Sequence, residues 1–115
     1  MNGNDYEIIY AIVNHGYSDL VMNAAKEAGA RGGTILSARG TGSKEAESFF
    51  GITVTPEKEI VLILVPKAIC DKVLLSINEG AGMSTNGMGI AFAVPVSDVV
   101  GVESRIDELN NKKGE

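Results

Sequence analysis

The sequence predicts an α+β fold of the ferredoxin-like type, in which two β-α-β units in tandem form a four-stranded antiparallel sheet with both helices on one face. Three observations carry this expectation. Two short runs rich in β-branched residues, "YEIIYAIV" at 6–13 and "EIVLILV" at 59–65, read as buried strands and resemble each other. Each is followed by a segment with apolar residues at helical spacing that ends in glycine. Each of those is followed by a glycine-bearing turn and a further strand, "TILSARG" at 34–40 and "GIAFAVPV" at 89–96.

In the first unit, Ser18 is placed to N-cap a helix whose Leu20, Val21, Ala24, Ala25 and Ala28 share one face, and Gly29 supplies the stop. In the second, Ile69, Val73, Leu74 and Ile77 repeat that spacing, and Gly80 supplies the stop. The strands are apolar at nearly every position rather than at alternate ones, so the sheet face without helices also needs a cover. Another copy of the same sheet is the simplest candidate, which predicts a homo-oligomer.

Size and composition fit one domain spanning residues 1–115. A chain of this length buries roughly two-thirds of its unfolded surface, and 44% hydrophobic with 22% charged residues is ordinary for a globular protein. A net charge of -5 argues against a nucleic-acid surface, which needs clustered Lys and Arg. The single cysteine, Cys70, cannot close a disulfide within the chain, and its place in an apolar helical pattern marks it as an inert core thiol in a reducing compartment. "MNGNDYE" lacks the pattern of a secretory leader, and no apolar run approaches the roughly 18 residues needed to span a bilayer. The expectation is a cytoplasmic protein without membrane insertion.

Between the two units lies "GTGSKEAESFFGITVTPEKE" at 40–59, long for a connection in a compact domain. Adjacent Phe49 and Phe50 stand in this polar segment either as an anchor for a partner protein or as part of a lid folded onto the body. "SKEAESFF" is also compatible with a short helical turn capped by Ser43. After residue 102, Ile106 and Leu109 at helical spacing among charges suggest a short amphipathic helix in a tail at 103–115.

The doubled β-α-β, the "RGTG" entering the central loop, the "PEKEIVLILV" leaving it and the "NGMGIAFAVPVSDVVGV" near the end together resemble the P-II signalling proteins and their P-II-like relatives, over about residues 6–102. The resemblance implies a homotrimer with sheets facing inward. It also implies adenine-nucleotide binding in clefts between subunits, and a central loop at about 41–57 presented to a target protein such as a membrane transporter or a metabolic enzyme of nitrogen or carbon metabolism.

Carried over position by position, the resemblance places Gly87 and Gly89 around the ligand phosphates and Gly40 and Gly42 at the base of the central loop. It places Gly32, Gly33 and Thr34 of a neighbouring subunit near the adenine. Thr41, Ser43 and Asn86 fall within the same two glycine segments, and Met88 lies where it can touch the base or seal the cleft. Glycines in such loops let main-chain N–H groups approach an anion.

The sequence also departs from the family. Ile90 stands where nucleotide-binding relatives commonly have a lysine, and Gly101 and Glu103 stand where they often carry arginines. Each charge-assisted contact to phosphate contributes about 1.5–3 kcal/mol, so losing three lowers triphosphate affinity by several orders of magnitude unless others substitute. Lys44, Lys58 and Arg39 are the candidate substitutes. The central loop is shorter than in typical members and has no tyrosine, so it offers no acceptor for uridylylation. These departures point to a P-II-like branch in which AMP, ADP or cyclic AMP fits better than ATP with magnesium.

Two other function classes stand beside a regulatory binding protein. An enzyme needs a nucleophile or an acid/base pair held by partners, and no such constellation is present in the sequence. A CutA-like trimer of the metal-tolerance type needs soft ligands, whereas His15 is the lone histidine and Cys70 the lone cysteine, so no metal is expected. Ser18 and Asp19 suit helix capping better than catalysis. The mechanism implied is that phosphate held by Gly87–Gly89 amides and Lys44 orders residues 43–55, which then expose or withdraw Phe49 and Phe50.

Overall fold

The computed structural model describes residues 5–41, 47–49, 52–54, 57–83 and 89–102. The order of elements is β1 (Tyr6–Asn14), α1 (Ser18–Glu27), β2 (Thr34–Arg39), β3 (Glu47–Phe49), β4 (Ile52–Val54), β5 (Glu57–Pro66), α2 (Lys67–Gly80) and β6 (Gly89–Pro95). Four strands form one antiparallel sheet in the order β2-β5-β1-β6. This is the ferredoxin-like architecture expected. The two long central strands are the β-branched runs, and they pair from Tyr6 opposite Pro66 to Asn14 opposite Lys58.

The pleat divides these strands cleanly. Ile9, Ala11 and Val13 of β1 and Val61, Ile63 and Val65 of β5 are fully buried beneath the helices. Val21 and Ala25 of α1 and Cys70, Val73 and Ile77 of α2 complete that layer. The helices approach closely because small residues meet: a Cβ on Gly80 would lie 2.7 Å from the Ala24 Cβ. The Ser76 hydroxyl donates to the Ala24 carbonyl at 2.7 Å across the same contact. Gly80 is therefore a packing residue, not the stop expected of it; it is the last residue of α2, and Ala81 follows as the C-cap. Gly29 does act as expected. At φ +112° it occupies the left-handed conformation just past α1, and its N–H donates to the Lys26 carbonyl.

The start of α1 differs from expectation. Ser18 is the first helical residue and Tyr17 the N-cap, without a side-chain cap from either. The acceptor comes from another strand: Glu59 Oε1 receives the Gly16 N–H at 2.9 Å, just ahead of the helix. The Gly16 N–H is the main cause holding the Glu59 carboxyl below its usual range. The Ser18 hydroxyl and N–H and the nearby His15 add to it, against a smaller opposing effect of burial. His15 Nδ1 lies 3.7 Å from Glu59 Oε2. A carboxylate from β5 thus stands where a local capping side chain was expected.

The central segment also differs. Residues 47–49 pair antiparallel with 52–54, Phe49 opposite Ile52, as a separate two-stranded sheet. The helical turn considered for this region does not extend over 47–49; Ser43 and Phe50 lie outside the described residues. Cys70 is buried, and burial first, with the Glu7 carboxylate next, pushes its thiol up to about 11. None of the described helices is long and apolar enough to cross a membrane. The tail at 103–115 lies outside the described residues.

Candidate functional site

The sheet face turned away from the helices is apolar in successive rows, which the strand registers define. Leu36, Ile60, Ile12 and Ile90 form one row across all four strands. Thr34, Leu62, Tyr10 and Phe92 form the next, and Leu64, Ile8 and Val94 follow. The Tyr10 and Phe92 rings stack with centroids 5.3 Å apart and planes within 8°. Ile90 is 58% exposed and Phe92 41%. Two residues beyond Ile12 along β1, the row Ala38, Lys58 and Asn14 is the polar margin of the face.

A cleft of about 330 Å³ opens at that margin. It is lined by Ile12 of β1, Ala38, Arg39 and Gly40 at the end of β2, Lys58 and Ile60 at the start of β5, and Gly89 and Ile90 at the start of β6. The central segment leaves the sheet at Arg39 and returns at Glu57, which face each other across β2 and β5. The cleft therefore sits at the foot of that segment and at the exit of the glycine loop that precedes β6.

Five of the residues proposed from sequence meet here: Arg39, Gly40, Lys58, Gly89 and Ile90. Thr41 is exposed next to Gly40. Gly89 has φ +150°, and a Cβ there would lie 2.2 Å from the Ile12 carbonyl oxygen, so the backbone of β6 is pressed onto β1 where the glycine loop ends. Lys58 Nζ donates to Asn14 Oδ1 at 2.7 Å, half-buried. The charge in this cleft is thus cationic, on an apolar floor, which suits an anionic ligand with a flat or aliphatic part.

Gly32, Gly33 and Thr34 are not part of this cleft within one chain. Thr34 begins β2, four residues or about 13 Å from Ala38. Gly33 has a packing reason of its own: a Cβ would stand 2.6 Å from the Leu62 carbonyl and 3.0 Å from the Met22 sulfur. Gly42, Ser43, Lys44, Asn86, Gly87, Met88 and Phe50 lie outside the described residues, as does Glu103. Phe49 is in β3. Gly101 is exposed at φ +81°.

Ile12, Ala38 and Ile60 were not singled out from sequence. They become visible only when β1, β2 and β5 are set in register, because each was one apolar residue among many in its run.

Three comparisons bear on what this arrangement belongs to. The family model described as "Nitrogen regulatory protein P-II" matches residues 6–107. The structure of Arabidopsis thaliana PII bound to citrate resembles the chain with a TM-score of 0.63 at 31% sequence identity, covering 88% of this chain and 83% of that one. The search of curated proteins gave no match. The family match covers both β-α-β units and the segment between them, and the structural likeness extends over most of both chains, so this protein belongs to the P-II family of nitrogen regulatory proteins.

Proposed function

We propose that this chain is a P-II-like regulator that binds an adenine nucleotide in clefts completed by neighbouring subunits and passes the signal to a target protein through the segment between β2 and β5. The observation that carries the reading is the cleft at the foot of that segment, where Lys58, Arg39 and Gly40 meet Gly89 and Ile90. A ligand seated there touches both the exit of the glycine loop and the root of the central hairpin. Occupancy then biases the hairpin, and Phe49 and Phe50 with it, toward or away from a transporter or metabolic enzyme.

The apolar face supports the homotrimer of this reading. Leu36, Ile90, Phe92 and Val94 are all exposed on one sheet, and association of three such faces removes them from water. The absence of lysine at Ile90 and arginine at Gly101 and Glu103 favours ligands of low phosphate charge. AMP, ADP and cyclic AMP are therefore expected ahead of ATP. Gly32, Gly33 and Thr34, remote from the cleft in their own chain, are expected to complete the cleft of a neighbour. The remaining loop residues, Gly42, Ser43, Lys44, Asn86, Gly87 and Met88, are expected to close over the phosphate. Citrate in the Arabidopsis structure supports an appetite of this fold for small anions.

Titration calorimetry with AMP, ADP, ATP, cyclic AMP and citrate tests the reading. Measurable heats for at least one mononucleotide, with ATP weaker, support it. Flat heats for all nucleotides overturn it and leave a CutA-like structural or metal-handling trimer, to be sought with copper and zinc.

A further inference from the structure

Asn14 and Lys58 are register partners on adjacent central strands, so both side chains rise from the same face at the polar margin of an otherwise apolar sheet. Their contact is a short, half-buried hydrogen bond, with Lys58 Nζ donating to Asn14 Oδ1 at 2.7 Å. Lys58 lines the cleft, whereas Asn14 does not. The geometry points to Asn14 as a positioning residue: it holds the Lys58 ammonium at the cleft wall in the place where an anionic ligand group is met. This inference rests on the nucleotide-binding reading for its consequence, but not for its geometry.

The chemistry of the partner matters. A lysine side chain has about four rotatable bonds and loses much rotamer freedom when it is fixed. An amide oxygen fixes it by accepting one of its three hydrogens and adds no negative charge. A carboxylate at position 14 would hold the ammonium as firmly but would compete with the ligand for its charge. Asparagine thus orients the ammonium without itself adding a countercharge. The neighbouring β5 residue, Glu59, turns to the other face and receives the Gly16 N–H, so consecutive residues of β5 hold the last residue of β1 and the turn that follows it.

The test has a ligand-independent arm and a ligand-dependent one. In the first, lysine acylation followed by mass spectrometry reads the reactivity of Lys58, with Lys26, Lys67 and Lys72 as internal references. Asn14→Ala is expected to speed labelling of Lys58 several-fold, and Asn14→Asp, which preserves the acceptor, to leave it unchanged or slower. In the second, AMP titration is expected to show affinity falling about two- to tenfold for Asn14→Ala, the range of a single hydrogen bond. Asn14→Asp is expected to fall further, despite its better hold on the lysine. Neither change should alter affinity in a Lys58→Ala background. Equal labelling of Lys58 in Asn14→Ala and the unaltered protein overturns the inference, as does an affinity loss that is the same with and without Lys58. If labelling follows the expected pattern while the unaltered protein binds no nucleotide, the positioning role stands and the functional reading falls.

Discussion

Leu62 and Ile63 are neighbours on β5, and the pleat sends them to opposite sides of one sheet. Ile63 is fully buried against α1 and α2, whereas Leu62 lies in the row with Tyr10 and Phe92 on the face that no helix covers. The two faces are made of the same kinds of residue. A sheet with one wet side alternates apolar with polar; this one does not, and the difference leaves the second face with the exposed apolar rows on which the proposed trimer rests. The covered face is where the subunit gets its own stability, and the uncovered face carries both the cleft and the rows that the proposed trimer would bury.

The largest contrast between the faces is expected from substitutions one row apart. Ile63→Ala should lower the unfolding free energy by about 2–5 kcal/mol, read by urea denaturation at any protein concentration. Phe92→Asp should leave each subunit folded, yet convert the proposed trimer to monomers in analytical ultracentrifugation. A trimer that survives Phe92→Asp would show that the subunits meet elsewhere. A smaller effect is confined to the covered side. Gly80→Val, which pushes a side chain into Ala24, should cost about 1–3 kcal/mol, and Ser76→Ala about 1 kcal/mol, with assembly unchanged in both.

The remaining effects depend on pH. The Glu59 carboxyl is held below its ordinary value of 4.5, so its contribution to stability is present above that value and is lost as pH falls through the lower folded pKa. Glu59→Gln should flatten the acid limb of melting temperature against pH. Cys70 has the opposite sign. Its thiol is raised from 9.0 to about 11 in the fold, so its contribution is present below pH 9.0 and is lost between there and about 11. Cys70→Ala should flatten that alkaline limb. Both sites lie on the helix side, and neither curve should depend on nucleotide.

Much of the covered side is legible in the sequence. "YEIIYAIV" and "EIVLILV" declare strands by β-branching, and α1 and α2 declare themselves by spacing, because these signals are local. What escaped was set by residues far apart in the chain. Glu59 serves the start of α1 from 43 residues away, which is why Ser18 looked like the cap. Gly80 owes its place to Ala24, not to its own turn. Residues 47–49 and 52–54 are too short to show a period and become strands only by pairing with each other. Of the cleft, Gly40 and Gly89 were visible as matches to the family pattern, Ile90 as a departure from it, and Arg39 and Lys58 as candidate substitutes for the cations it lacks. Ile12, Ala38 and Ile60 needed the register.

Arg39 and Glu57 face each other across β2 and β5, and everything between them is an excursion that begins and ends at one rung of the ladder. Closing such an excursion costs entropy that grows only with the logarithm of its length, about 0.6 kcal/mol per doubling. Seventeen residues or twice as many can therefore be hung from the same rung while the body stays as it is. The mount is fixed and the attachment is interchangeable, so the regulator proposed here can acquire a new listener by rewriting one stretch of chain and keep its cleft untouched.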